Sequence, residues 1–232
     1  MSVIRFNTDE VFTVDSSEYE ILANAITAIK GVNGAVVEIG TRRGGSAKII
    51  IDSLVQNQDT NRSMFCIDPY GNIDYPCSNM SVSTHMPGIS VVGDPKSTEI
   101  VNPNIKLDYD NTMRNRIIPS LYYYAYAAGL DFTFFCLEDT EFFNRYADGV
   151  PVYNEVKSLE NTYASVFFDG PHTNDAILLE TEFFLPRVAK GSVFIYDDLW
   201  HYSHDEVIEK ILFKNDFKIL EKGNVKASYV KL

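Results

Sequence analysis

Four residues that can bind a cation or accept a proton lie in one short part of the chain: Asp169, His172, Asp197 and Asp198. The acids follow two apolar runs that are rich in β-forming residues, Val166–Phe168 and Val193–Tyr196. The segment between these runs, from about Thr173 to Val188, has the periodicity of a helix. A strand–helix–strand connection places its strands parallel in one sheet, and parallel sheets bind ligands at the carboxyl ends of their strands. We therefore expect the four side chains to meet at one edge of a sheet.

These residues also have less specific interpretations. An aspartate after a strand often only caps a helix or forms a turn. Asp197 and Asp198 are adjacent, however, and a metal ion or a cationic ligand would relieve the repulsion between their carboxylates. His172 is a candidate general base, or else a residue that caps or supports the next helix. His201 is the alternative base.

Composition limits the class of protein. The 232 residues suffice for one α/β domain with a sizeable core. The formal net charge of -12 argues against nucleic acid as a partner. No apolar run of about 18 residues occurs and no basic-then-apolar segment opens the chain, so we expect neither a membrane span nor a signal peptide. The three cysteines lack C-x-x-C spacing and are expected to be reduced thiols in a cytoplasmic protein.

The first part of the chain has the order of elements of a nucleotide-binding unit. An apolar strand, Ala35–Ile39, leads into a glycine-rich turn and a helix, and a second strand, Met64–Ile67, ends in Asp68. The glycines permit close approach of a ligand, the helix N-terminus offers free N–H groups, and Asp68 can accept hydrogen bonds from both hydroxyls of a ribose. The spacing is not G-x-G-x-x-G, and Glu38 before the first glycine favours a ligand with a cationic end. A purely structural unit is the alternative.

The motifs resemble those of a known family. The segments VVEIGTRRGGSA and CIDPY resemble motifs I and II of class I S-adenosylmethionine-dependent methyltransferases. The segments DGPH and GSVFIYDD are similar to the metal-dependent O-methyltransferases that modify sugars of macrolide antibiotics, the macrocin and mycinamicin type, with the cephalosporin-biosynthesis protein of related fold close by. The resemblance covers most of the chain from about Glu18 onward. It implies an α/β, Rossmann-like fold: a mostly parallel seven-stranded sheet with a C-terminal antiparallel hairpin and helices on both faces.

The resemblance also implies roles for individual residues. The expected S-adenosylmethionine site comprises the first strand end, the glycine turn and the acids after the second and third strands: Glu38, Gly40, Thr41, Gly44, Ser46, Asp68 and Asp139. Within it, Asp68 would hold the ribose hydroxyls and Asp139 the adenine amino group. The expected ligands of Mg²⁺, or of another hard divalent cation, are Asp169, Asp197 and Asp198. His172 would take the proton from the acceptor.

The remaining elements are predicted from pattern. We expect a single domain, 1–232, with an N-terminal helical segment, 1–34, and an insert at about 69–115 that covers the substrate. Ser16 and Ser17 are candidates to cap the first helix.

The later segments of the chain carry weaker signals. Pro119 suits the first turn of a helix from Arg116 to Gly129. Residues 148–163 are interpreted as a connection that is partly helical. The last two apolar runs of the chain, joined by a short turn, predict a hairpin.

These patterns favour one function over two alternatives. The preferred function is Mg²⁺-assisted transfer of a methyl group from S-adenosylmethionine to a hydroxyl of a sugar or another vicinal diol. A nicotinamide dehydrogenase is disfavoured by the missing G-x-G-x-x-G and by the terminal hairpin. A non-catalytic or metal-independent nucleoside-cofactor-binding protein of the same fold is the other alternative, and the intact acids argue against it. The expected partner is a small hydroxyl-bearing molecule, and a homo-oligomer is plausible.

Overall fold

The computed structural model describes residues 11–71, 111–154 and 156–232. Most of the insert predicted at 69–115 therefore lies outside the described residues, as does Cys77. Within the described ranges, the two remaining cysteines are free thiols, and no helix is long and apolar enough to cross a membrane.

Nine strands are found in the described part of the chain. They are β1 (Ala35–Ile39), β2 (Ser63–Ile67), β3 (Asp131–Phe135), β4 (Val150–Asn154), β5 (Val156–Glu160), β6 (Tyr163–Phe168), β7 (Val193–Tyr196), β8 (Phe217–Lys222) and β9 (Ala227–Lys231). Seven form one sheet in the order β3-β2-β1-β6-β7-β9-β8, and β4 pairs with β5. Neighbours from β3 to β7 are parallel, whereas β9 is antiparallel to both of its neighbours. The predicted sheet is thus confirmed.

Six α-helices are described around the sheet. They are α1 (Tyr19–Ala28), α2 (Gly45–Gln56), α3 (Asn111–Ala128), α4 (Asp139–Arg145), α5 (Asn174–Phe184) and α6 (Lys210–Lys214). A 3₁₀ turn, Leu185–Arg187, continues α5, and a π-helical turn, Asp205–Glu209, precedes α6.

The helices cover both faces of the sheet because successive strand residues point to opposite sides. In β1, Val36 belongs to the core cluster built with α1, α2 and α3, whereas Val37 belongs to the cluster built with α4, α5 and α6. Strands β1, β2, β6 and β7 are buried along their whole length. Burial on both faces explains why these strands read as continuous apolar runs in the sequence.

The interpretation of residues 148–163 as partly helical was wrong. This segment forms the antiparallel hairpin of β4 and β5. Val150 and Val152 alternate toward the core, which is the period of a strand, while Tyr153 on the other face is exposed and faces Lys157. A short strand with a single apolar face gives a weak signal until its partner strand is known.

Two predictions about helix ends also fail. Pro119 lies inside α3 and not in its first turn, since the described helix already includes Asn111. Proline removes one helical hydrogen bond, and the burial of Ile117 and Leu121 against the sheet offsets that loss.

The cap expected from Ser16 and Ser17 is absent. The N-cap of α1 is Glu18, in a left-handed conformation with φ 57°, and no side chain caps the helix. The Ser16 hydroxyl instead donates to Asp197 Oδ1 at 3.2 Å. The residues before α1 therefore belong to the carboxyl edge of the sheet.

Candidate active site

The loops after four neighbouring strands meet at the carboxyl edge of the sheet. Backbone N–H groups at the strand ends donate to the adjacent strands: Gly40 to Ile67 (2.9 Å), Asp68 to Phe135 (3.1 Å), Asp169 to Ile39 (3.0 Å) and Asp197 to Phe168 (3.0 Å). The chain leaves β1 toward β2 on one side, and β6 lies on the other side. Ligands of open α/β sheets bind at such a switch point.

Gly40 permits the turn after β1 to pack against the turn after β6. Its φ is 83°, and a Cβ atom at this position would lie 1.9 Å from the carbonyl oxygen of Asp169. No other residue type fits that contact. Gly40 thus brings the candidate cofactor turn and the candidate cation site together.

Asp68 organises the glycine-rich turn. Its Oδ2 accepts hydrogen bonds from the backbone N–H groups of Thr41 (3.0 Å) and Arg42 (2.9 Å), and its Oδ1 accepts from the N–H of Tyr70 (3.0 Å). Burial nevertheless raises the pKa of Asp68 to about 6. A buried carboxylate held in this way is suited to receive hydroxyl donors from a ligand.

Glu38 is a fully buried acid beneath the turn. Its Oε2 contacts the Cys66 thiol at 3.2 Å, whereas Oε1 has no hydrogen-bond partner among the residues that the structure describes. Burial raises the pKa of Glu38 to about 7. The unsatisfied oxygen is consistent with a ligand that brings positive charge or a donor to this point.

Replacing Glu38 with Gln is expected to change how stability depends on pH. Because the folded-state pKa of about 7 lies above the ordinary 4.5, the stability that protonated Glu38 contributes is complete below pH 4.5 and is lost as the pH rises through 7. Between about pH 5 and about pH 8 the variant should therefore gain roughly 3 kcal/mol relative to wild type. Urea unfolding at both pH values, without added ligand, measures the difference. The exposed Glu20→Gln is the control, and equal pH dependence of the two variants would contradict the account.

The start of α2 and the segment before α1 form the rest of the turn. Gly44 has φ 72° and forms a β-bridge with Thr13. The Arg42 guanidinium pairs with Asp15 at 2.8 Å. Ser46 is buried in the first turn of α2, and Thr41 Oγ1 has no partner in the described part of the chain. The N-terminal turn of a helix, with a hydroxyl that lacks a partner among the described residues, suits an anionic end of a ligand.

Asp139 lies at the start of α4, immediately after its N-cap Glu138, and is buried. Its Oδ1 accepts from the Thr140 N–H at 2.7 Å. Glu180 of α5 is buried next to it, and a Cβ added at Gly170 would lie 2.6 Å from Glu180 Oε1. Burial and the neighbouring Asp139 raise the pKa of Glu180 well above its usual range.

The candidate cation site lies where β6 and β7 end. One donor atom each from Asp169, His172 and Asp198 can be chosen so that all lie within 4.8 Å of one another. His172 Nε2 is 3.2 Å from Asp198 Oδ2 and 3.9 Å from Asp169 Oδ1. The structure therefore brings together two of the three predicted acids and the predicted base.

Burial sets the charges of this cluster. Burial, together with Asp197 and then Asp198, raises the pKa of Asp169 well above its usual range. Burial and Asp197 raise the pKa of Asp198 to about 7. Burial also lowers the pKa of His172 to about 3, so its imidazole is neutral at pH 7. Carboxylates that repel one another in a buried site are suited to share a cation.

His201, the alternative base, lines the same cluster. Its Nε2 is 3.7 Å from Asp198 Oδ2, and its ring stacks on His172 with the centroids 5.2 Å apart. The exposed Trp200 also contacts His201, with ring centroids 3.9 Å apart. His201 therefore lies beside His172 at the same acid, Asp198.

Asp197 is directed elsewhere. Its Oδ2 pairs with the ammonium of Lys226 at 2.7 Å, and it is not part of the three-residue cluster. Sequence reasoning missed Lys226, because a lysine in a hairpin turn is normally exposed and only the sheet order brings it beside β7. It also missed Asp15 and Glu180, whose positions depend on contacts between distant segments.

The fold and the residues at the carboxyl edge of the sheet together define a class of protein. A seven-stranded sheet with the antiparallel strand β9 between β7 and β8, with Glu38 in β1 and acids after β2, β6 and β7, is the arrangement of class I methyltransferases. A family model described as "Methyltransferase domain" matches residues 37–199, which is more than half of the chain. The chain therefore belongs to this methyltransferase family. The resemblance drawn from the sequence, and the prediction of an enzyme, are confirmed.

Solved structures agree on the fold. They include the O-methyltransferase NovP, with a TM-score of 0.54 and 15% identity over 91% of this chain and 78% of that one. The calicheamicin methyltransferase CalS11 gives 0.55 and 12% over 91% and 78%. TomG from Streptomyces achromogenes, an O-methyltransferase of tomaymycin synthesis solved with S-adenosylmethionine, gives 0.51 and 11% over 95% and 82%. At these identities the likeness concerns the fold. No curated protein matches the chain.

Proposed function

We propose that this protein is an S-adenosylmethionine-dependent O-methyltransferase that methylates a hydroxyl of a sugar or another vicinal diol, with Mg²⁺ or a similar cation as a cofactor. The observation that carries the proposal is the cluster of Asp169, His172 and Asp198 beside the glycine turn of a methyltransferase sheet. The sugar class is supported by CalS11, which is described as a TDP-rhamnose 3'-O-methyltransferase.

The residues of the turn fit the methyl donor. Asp68, already aligned by three backbone N–H groups, would accept the ribose hydroxyls, and Asp139 would accept from the adenine amino group. The unsatisfied oxygen of Glu38 favours the cationic methionine end. The helix start at Gly44 and Ser46, with Thr41 before it, would bind the carboxylate.

The cluster fits a hard divalent cation. Asp169 and Asp198 offer carboxylate oxygens, the ligands that Mg²⁺ and Mn²⁺ prefer, and their mutual repulsion in a buried site would be relieved by the ion. When bound, the ion supplies a Lewis acid that lowers the pKa of an acceptor hydroxyl. Two protein carboxylates leave coordination positions for a diol.

His172 is the proposed general base. A sugar hydroxyl is a poor nucleophile at neutral pH, so a proton must leave as the oxygen attacks the sulfonium methyl group. Neutral His172 can accept that proton at Nε2, and the resulting imidazolium would be stabilised by Asp198 at 3.2 Å. Burial of the edge limits access of water, which would compete as an acceptor.

Replacing Asp68 with Asn tests the cofactor half of the proposal. Hydrogen bonds to a charged acceptor contribute about 1.5–3 kcal/mol each, so the variant should bind S-adenosylmethionine at least ~10-fold more weakly than wild type. Calorimetry measures both affinities, and circular dichroism verifies the fold. The exposed Asp175→Asn is the control. No binding by wild type, or equal binding by all three proteins, would contradict the proposal.

The acceptor is tested by product mass. Nucleotide-linked and free 6-deoxyhexoses with vicinal hydroxyls, incubated with protein, Mg²⁺ and S-adenosylmethionine, should gain one methylene unit.

The cytoplasmic location, the homo-oligomer and the role of the 69–115 insert stay predictions from the sequence.

A further inference from the structure

Lys226 is a buried cation next to the candidate cation site. It lies in the turn between β8 and β9, is 0% exposed, and its ammonium is 2.7 Å from Asp197 Oδ2. The same ammonium donates to Ser16 Oγ at 2.7 Å and lies 4.3 Å from the centre of the Tyr19 ring. A buried lysine is costly unless it is paired, and Asp197 supplies the paired charge.

Both carboxylate oxygens of Asp197 are engaged within the protein. Oδ2 binds Lys226, while Oδ1 accepts from the Ser16 hydroxyl at 3.2 Å and from the Asp198 N–H at 2.8 Å. The Asp197 side chain is 1% exposed, compared with 20% for Asp169 and 10% for Asp198. Asp197 is thus more deeply buried than the other two acids, although it lies close enough to act on the charge of both.

The position of Lys226 is fixed by the segment before α1. The Glu18 carboxylate accepts hydrogen bonds from three successive backbone N–H groups of the hairpin turn, those of Asn224 (3.0 Å), Val225 (2.8 Å) and Lys226 (3.0 Å). A Cβ atom at Gly223 would lie 2.1 Å from Glu18 Oε2, so a side chain there would displace this carboxylate. Two distant parts of the chain therefore cooperate to hold one ammonium against Asp197.

We propose, on the basis of the cation site in the proposed function, that pairing with Lys226 prevents Asp197 from coordinating the ion. Asp169 and Asp198 are then the acids that bind it. Asp197 is then a positioning residue, which holds the backbone of Asp198 through its N–H. When a divalent cation binds and the three carboxylic acids are ionised, the ammonium of Lys226 leaves a net charge of two negative, which that cation neutralises. The sequence, in contrast, predicts all three acids as ligands.

The test replaces the pair without changing the charge of the site. The double variant Asp197→Asn with Lys226→Met removes one negative and one positive charge, and exchanging a buried ion pair for neutral groups of similar size is often neutral for stability. Asn retains an acceptor for the Asp198 N–H. Lys226→Met alone would leave a buried carboxylate without its cation, so the double variant is the suitable form. Mn²⁺ binding is measured by electron paramagnetic resonance, without methyl donor or acceptor.

We expect the double variant to bind Mn²⁺ within about threefold of wild type, and Asp198→Asn to bind it at least ~10-fold more weakly, in the range seen when metal sites lose a ligand or its support. Circular dichroism melting verifies that each variant is folded. A loss in the double variant as large as that in Asp198→Asn would overturn the inference and leave the proposed function intact. Absence of Mn²⁺ binding by wild type would overturn the cation site itself, and with it this inference.

Discussion

Replacing Asp198 with Asn is expected to lower the rate of methyl transfer at least about a hundredfold. The cation site would lose one of its carboxylates, and a bound cation stabilises the transition state by several kcal/mol. The variant should retain affinity for S-adenosylmethionine, since Asp198 follows β7 whereas the cofactor turn follows β1. Turnover by mass spectrometry and cofactor binding by calorimetry separate the two effects.

The exposed Asp205→Asn is the matched control for this change. Asp205 lies in the same part of the chain and pairs with Lys222 at the surface. Its replacement should leave both turnover and cofactor affinity unchanged. If Asp198→Asn retained wild-type turnover, or if chelator did not inhibit wild type, the cation would have no part in the reaction.

Replacing His172 with Ala is expected to lower turnover by about 10²–10⁴, the usual contribution of a general base. Cofactor affinity should be unchanged, since His172 lies at the end of β6 beside the acids. Added imidazole should restore part of the rate, which a purely structural role of the ring would not permit. The rate at saturating cofactor and acceptor is the quantity to measure.

His201→Ala is the comparison that makes this prediction specific. Both rings are buried and stacked on each other, so the two variants perturb packing to a similar degree. His201 is 3.7 Å from Asp198 Oδ2, compared with 3.2 Å for His172, and His172 also lies 3.9 Å from Asp169 Oδ1. A larger loss in His201→Ala, with rescue by imidazole there, would transfer the role of base to His201.

The sheet and most of the edge could be predicted because short-range patterns determine them. Buried parallel strands are continuous apolar runs, and the acids after them must meet because parallel strands end together. Asp68, Asp169 and Asp198 follow directly from this rule. The glycines in the turn after β1 likewise indicate that another group approaches the backbone closely there, and the positive φ of Gly40 agrees with that expectation.

The partners of individual side chains could not be predicted in the same way. The pairing of Asp197 with Lys226 could not be predicted from the sequence, because only the antiparallel β9 brings Lys226 near β7. Ser16 looked like a helix cap, yet it hydrogen bonds to this pair. The β4–β5 hairpin was missed because β4 is short and apolar on one face, and β5 is mostly exposed. These features depend on which strands become neighbours.

The central claim is that a divalent cation binds between Asp169 and Asp198 beside His172. The most direct measurement is anomalous X-ray scattering from crystals of this protein soaked with Mn²⁺ and S-adenosylmethionine. We predict one strong anomalous peak within coordination distance of both carboxylates, roughly 2.2 Å from an oxygen of each, on the side of the methyl donor's sulfonium. A crystal with bound donor and no peak at these two acids would contradict it.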